Sequence, residues 1–365
     1  ESAMDLGIIG LELAGKTTVF NCLTRGSAHA GSFGGLEPSI GVVKVPDERI
    51  DKLAELYKPK KITYIETRFL DFPGGLTVRD EGPAAAHLAA LSQCDALVHV
   101  VHAFDKESGL ASGDSVDPHR DIASVDLELA FADAATLERR QAKLETNLRS
   151  GKSDDRAAEE RELALVMRLK EGLDREEPLR NQEISADEAK ILSGYILLTN
   201  RPLLLVINLD ESDAARAGEI EAEYARYAEA PGVEVAALCA KLEQELGELS
   251  EEDAAEFRRD MGVGEDGAAR MVAAAQRAMG LLTFFTIGEP EGRAWALAKG
   301  STALDAAGLI HTDISRGFIR TEVIGWDELL ECGSLPEARK RGMLRTEGKQ
   351  YIVQDGDTML MLFNV

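Results

Sequence analysis

The sequence predicts an α/β protein in which a mainly parallel sheet is interrupted by a helical hairpin and followed by a small α+β domain. Three observations predict it. Short apolar runs alternate with helical patterns at residues 6–10, 62–70 and 96–101, and again at 203–207 and 233–238, as in a sheet covered by helices. Between these sets, residues 122–180 lose the strand signal and become charged and helix-patterned. From residue 281 onward the apolar runs turn short and β-rich, with helical patterns at 301–309 and 336–342.

Each part has its own reason. The 365 residues at 44% apolar content suffice for two or three compact domains. In the middle, Ala130, Ala134, Leu137, Gln141, Leu144 and Leu148 form one helical stripe, and Leu163, Met167 and Leu173 form another after the polar break at 150–155. An antiparallel hairpin inserted in the sheet domain is the expected result. In the C-terminal part the expected strands are 283–287, 294–297, 318–324, 351–354 and 358–363.

Composition excludes several classes. The net charge of −24 opposes general binding to DNA, because nucleic acid attracts basic faces. No apolar run reaches the roughly 18 residues of a membrane span, and the first residues lack signal-peptide character, so a cytoplasmic location without a membrane partner is expected. The four cysteines, Cys22, Cys94, Cys239 and Cys332, lack metal-ligand spacing and read as buried thiols.

The chemistry begins where the first run ends. Gly10-Leu11-Glu12-Leu13-Ala14-Gly15-Lys16-Thr17 satisfies G-x-x-x-x-G-K-[ST] between a strand and a helical pattern. Glycines let backbone N–H groups wrap phosphate oxygens, Lys16 reaches the β- and γ-phosphates, and the Thr17 hydroxyl is placed for Mg²⁺ at the head of a helix whose dipole favours anions. Glu12 is expected to point outward. One strand later, Asp71-Phe72-Pro73-Gly74 supplies D-x-x-G, with Asp71 for the metal and Gly74 for the γ-phosphate. Asn208-Leu209-Asp210-Glu211 ends a buried run where GTPases carry Asn-Lys-x-Asp. Glu211 in place of the shorter aspartate misplaces the acceptors for guanine and admits adenine.

These motifs, with EPSIGVVKVPDERIDKLAEL, LCAKLEQEL and the long stretch RAWALAKGSTALDAAGLIHTDISRGFIRTEVIGWDELL, give a sequence that resembles the Obg-like ATPases, the YchF group of P-loop GTPase relatives. The resemblance spans nearly the whole chain in order. It implies a G domain at 1–121 and 181–280, a coiled-coil-like helical arm at 122–180 and a ubiquitin-like TGS domain at 281–365. It also implies ATP hydrolysis with Mg²⁺, weaker use of GTP, and association with the ribosome, through RNA or a ribosomal protein, by way of the TGS domain and the arm. Phosphate roles pass to Gly10, Gly15, Lys16, Thr17 and Thr18, with Leu13 and Ala14 completing the loop. Metal or γ-phosphate sensing passes to Asp71 and Gly74, and base contact to Asn208, Leu209, Glu211, Cys239, Ala240 and Lys241. His99 matches a histidine proposed to act in hydrolysis; placed between valines, it equally suits a core position.

The sequence also departs from the family pattern. Gly35 stands where the first switch carries threonine, Leu13 replaces an asparagine, and Gly75 displaces the leucine after the D-x-x-G motif. No glutamine follows Gly74 to orient water, so slow turnover is expected. Two other readings stay open: a nucleotide-binding adaptor with little or no hydrolysis, and a translation GTPase. The residues Arg316, Arg320, Arg339, Lys340, Arg341, Arg345 and Lys349 read either as an RNA-facing patch or as solvated surface charge.

Overall fold

The computed structural model describes residues 4–25, 38–72, 88, 90–104, 116–150 and 155–364. The chain begins with β1 (Met4–Ile9), α1 (Lys16–Thr24), β2 (Ser39–Val45), α2 (Glu48–Tyr57), β3 (Ile62–Thr63), β4 (Ile65–Asp71) and β5 (Ala96–Ala103). The hairpin is α3 (Pro118–Ser150) and α4 (Arg156–Asp174). Next come α5 (Ala186–Leu192), β6 (Leu203–Leu209), α6 (Ala217–Glu223), β7 (Val233–Leu238), α7 (Ala240–Leu246), α8 (Glu251–Met261) and α9 (Gly267–Ala278). The remainder holds β8 (Leu281–Ile287), β9 (Gly292–Ala298), α10 (Ala303–Ile310), α11 (Thr312–Arg316), β10 (Phe318–Gly325), α12 (Trp326–Cys332), α13 (Leu335–Lys340), β11 (Arg345–Glu347) and β12 (Asp357–Phe363).

Two compact units emerge, one of Met4–Val42 with Arg68–Ala278, the other of Val43–Thr67 with Met279–Val365. The first is built on a sheet of order β2-β4-β1-β5-β6-β7, in which β1, β5, β6 and β7 run parallel. Every residue of β6 is buried, the mark of a central parallel strand covered on both faces. Within α3, Ile122, Val125 and Leu129 pack on the sheet, whereas Leu137 and Leu144 pack on Leu165, Val166, Leu169 and Leu173 of α4. One continuous helix thus belongs to the sheet layer at its start and to the arm beyond. The Asp133 carboxylate pins it there, accepting hydrogen bonds from the Leu198 and Thr199 N–H groups, each at 2.7 Å, and from the Thr199 hydroxyl at 2.6 Å. The stripe expected on the second helix differs from the one observed: Met167 is 51% exposed. In a helix with apolar residues on neighbouring rows, the partner α3 selects the row through 165, 169 and 173.

The second unit has a mixed sheet of order β11-β10-β12-β8-β9-β3, with β12 and β8 parallel and β8 and β9 antiparallel. The helix α10 covers one face through Ala303, Ala306 and Ala307. The other segment of this unit, 43–67, was expected to lie within the sheet domain; α2 instead packs on β8, β9 and α12. Arg49 of α2 bonds Asp355 at 2.6 Å and lies over the Phe285 ring, and the Tyr57 hydroxyl accepts the Leu335 N–H at 2.8 Å. Residues 351–354, expected as a strand, form only an isolated bridge between Ile352 and Thr302. The β2 and β11 strands and the helix α12 are additions that the apolar runs did not mark. No helix among the described residues is long and apolar enough to cross a membrane.

Candidate nucleotide-binding site

The loop from Gly10 to Gly15 joins β1 to α1 and is shaped by three residues with positive φ: Gly10 (147°), Leu13 (64°) and Gly15 (91°). At two of them only glycine fits. A Cβ on Gly10 would stand 2.4 Å from the Val100 carbonyl oxygen, and one on Gly15 would stand 2.2 Å from Asn208 Nδ2. Gly15 is also the N-cap of α1, where no side chain caps the helix and no acid lies in the first turn. The N–H groups of Lys16, Thr17 and Thr18 are therefore placed to meet an anion. Leu13, at 61% exposure, stands on the rim of the loop, and Ala14 is buried beneath it. Glu12 is exposed, as expected.

Lys16 Nζ donates to the carbonyl oxygens of Gly10 (3.1 Å) and Leu11 (2.8 Å), which hold the ammonium over the loop. Three donors on an ammonium leave one for a ligand. Burial lowers the Lys16 pKa, while the nearby Asp71 and Glu12 carboxylates oppose that shift. The Thr17 hydroxyl donates to Asp71 Oδ2 at 2.8 Å, bringing together the two expected metal ligands. Asp71 Oδ1 is buried without a hydrogen-bond partner among the described residues. Desolvation raises the Asp71 pKa, against the Thr17 hydrogen bond and Lys16. An unsatisfied carboxylate oxygen beside a hydroxyl at an anion-binding loop fits a hard cation such as Mg²⁺, which uses one or two protein ligands and completes its shell with phosphate and water.

At the other end of the site Asn208 is a buried bridge. Its Nδ2 donates to the Ala14 carbonyl (3.1 Å) and its Oδ1 accepts the Ala240 N–H (3.1 Å), tying the phosphate loop to the segment after β7. Glu211 and Lys241 are exposed on the two sides of this bridge. Leu209 and Cys239 face the other way: both side chains are packed in the core with Val101, Ile207 and Leu242, which leaves their backbones for a ligand. Strand alternation explains Leu209, because Asn208 is turned to the loop and the next residue must face the opposite side. Asp210 caps the turn Glu211–Arg216, accepting the Ser212 N–H at 3.1 Å, and that bond lowers its pKa.

His99 lies in β5 between Ile9 of β1 and Leu205 of β6 and is 1% exposed. Burial pushes its pKa down to about 4, with Arg180 and Lys16 adding to the shift and Asp126 opposing it. It is a neutral core histidine closed to bulk water. Gly74, Gly35 and Gly75 lie outside the described residues. In the C-terminal unit, Arg316, Arg339, Lys340, Arg341 and Arg345 each lie within 4.0 Å of an acid, among them Arg339 on Glu322 at 2.6 Å and Arg341 on Glu337 at 3.0 Å. Of the two readings of these residues, the acid partners of these five support solvated surface charge.

A glycine-shaped loop between a parallel strand and a helix, with its lysine, threonine and strand-end aspartate, defines the class of P-loop nucleotide-binding proteins. The comparisons agree. Residues 281–364 match the YchF-GTPase C-terminal family, described as a protein of unknown function (DUF933). The chain is 37% identical over 369 residues to the ribosome-binding ATPase YchF of Bacillus subtilis, covering 100% of both. It is 34% identical to its counterpart from Escherichia coli O157:H7, covering 98% of the chain and 99% of the relative. The solved YchF GTPase of Schizosaccharomyces pombe superimposes with a TM-score of 0.85 at 27% identity, covering 99% of this chain and 98% of that one. The chain belongs to the YchF family.

Proposed function

We propose that the protein is a slow, Mg²⁺-dependent ATPase of the cytoplasm that serves as a nucleotide-controlled partner of the ribosome. The observation that carries the reading is the Thr17–Asp71 contact with its unpartnered carboxylate oxygen, set beside Lys16 on a preformed loop. The relatives' name, ribosome-binding ATPase, supports both the hydrolysis and the partner. In this reading the backbone of residues 10–18 and the Lys16 ammonium hold the triphosphate, and Thr17 and Asp71 hold Mg²⁺. Bound Mg²⁺ would supply charge neutralisation to the phosphates. Asn208 keeps the phosphate loop and residues 239–241 at a fixed spacing, while Glu211 favours adenine over guanine. Gly74 is assigned to the γ-phosphate by its place in the D-x-x-G motif, with the resemblance in support.

The surroundings of His99 support slow turnover. His99 is closed to bulk water and its lowered pKa makes it a weak base, which supports a core role under the loop. That same observation favours a second reading, a nucleotide-binding adaptor without hydrolysis. Single-turnover hydrolysis of ATP with Mg²⁺, beside a Lys16→Ala control, separates the two. Phosphate release above the buffer rate that vanishes in the control supports the ATPase; tight ATP binding with release no faster than buffer selects the adaptor. Cosedimentation with ribosomes in ATP and in ADP tests the partner.

A further inference from the structure

Four charged side chains gather behind the site, contributed by α1, α7, α8 and the turn that opens α9. Glu243, in α7, has a side chain only 4% exposed and accepts two parallel hydrogen bonds from Arg258 of α8, at 2.7 and 2.6 Å. A Cβ on Gly267, where α9 begins, would stand 2.8 Å from Glu243 Oε1, so the carboxylate is enclosed by backbone on that side as well. Asp266, one residue earlier, accepts the Ala269 N–H at 3.1 Å and pairs with Arg25, the C-cap of α1.

This arrangement bears on the site through chain geometry. Glu243 lies three residues beyond Ala240, whose N–H is the one bonded to Asn208, so both occupy a single helical turn. A helix of seven residues does not hold its shape alone and takes its position from tertiary contacts. The two-pronged guanidinium–carboxylate bond is directional, and a buried pair of this kind serves orientation more than net stability.

We propose that Arg258 is a positioning residue for base recognition: through Glu243 it fixes the first turn of α7 and with it the backbone of residues 239–241 against which the purine lies. It takes no part in gripping the phosphates. The inference rests on the nucleotide reading given above, and it deepens that reading by assigning base affinity to a residue that the bound nucleotide does not touch.

The test uses two probes on the full chain with Mg²⁺: ATP, which has a base, and inorganic tripolyphosphate, which has none. Calorimetric titration of Arg258→Met is expected to show ATP affinity reduced about tenfold and tripolyphosphate affinity changed less than about twofold. Arg258→Lys keeps the charge but not the fork, and is expected to lose about threefold for ATP alone. Equal weakening of both probes marks a general structural role and overturns the proposal, as does unchanged ATP affinity. Should Arg258→Met not fold, the ATP to tripolyphosphate ratio of Arg258→Lys decides by the same criterion. A parent chain that binds neither probe overturns the nucleotide reading and this inference together; a parent that binds ATP beside an Arg258→Met variant that binds it equally overturns this inference alone.

Discussion

The phosphate end and the base end of the site are built by opposite means. At the phosphate end, eight consecutive residues, 10–17, make loop, helix cap and ammonium, and the distant contributors among the described residues are Asp71, the close backbone neighbour Val100 and the Asn208 amide. At the base end, nothing is made by one segment: Asn208 joins positions 14 and 240, and Arg258 reaches Glu243 from another helix. A device written in contiguous residues is legible as a motif when its strand and helix context is present. A distributed one depends on packing, so that is where nucleotide preference can drift while phosphate binding stays.

Substitutions at each end separate the two. The largest effect is expected from Lys16→Ala, which removes a charged hydrogen-bond donor worth about 2–3 kcal/mol and weakens ATP and tripolyphosphate alike by roughly a hundredfold in calorimetry. Equal loss for both ligands is the signature of the phosphate end.

Beneath the loop, His99 gives a pH signature. Its ordinary value of 6.5 is held down to about 4 in the folded chain, chiefly by burial. Below pH 6.5 the unfolded chain gains a proton that the folded chain refuses until about pH 4, so stability falls as pH drops through that window, by on the order of 3 kcal/mol. In His99→Leu this portion of the acid sensitivity should vanish in urea unfolding at pH 7 and pH 4.5, while ATP binding at pH 7 persists. An unchanged slope would place the acid sensitivity elsewhere.

Asn208→Ala should act on both ends, since it leaves the buried Ala14 carbonyl and Ala240 N–H without partners. A loss of about 1–3 kcal/mol in stability and about tenfold in ATP affinity is expected, read by thermal unfolding and titration. The smallest effect is expected from Glu211→Asp, which shortens an exposed carboxylate at the base end. Competition binding should show GTP gaining on ATP by about threefold, with tripolyphosphate unaffected.

The same contrast decides what could be read from sequence. The G-x-x-x-x-G-K-[ST] pattern, the parallel runs ending at Ile9 and Leu209, and the two arm helices were legible because each is written in contiguous residues. The phase of α4 was not, since the choice between a row through Met167 and one through Val166 and Leu169 is made by α3. Nor was the placement of α2, whose Arg49 finds Asp355, 306 residues away, and whose Tyr57 finds Leu335, 278 residues away. Leu209 and Cys239 were assigned to the base by their position in a motif, and strand alternation turns their side chains into the core. Glu243 lies within the LCAKLEQEL stretch, but Arg258 carries no local pattern at all, and only packing pairs the two. For the C-terminal arginines the sequence left patch and solvated charge both open, and the ion pairs that bear on the choice exist only in three dimensions.

In the proposed reading a preformed loop and one ammonium hold the triphosphate of ATP. Titration of ATP and Mg²⁺ into the parent chain and into Lys16→Ala tests it directly. Saturable one-to-one binding that the substitution removes is the expected result, and either binding that survives the loss of Lys16 or no binding by the parent at millimolar ATP would contradict it.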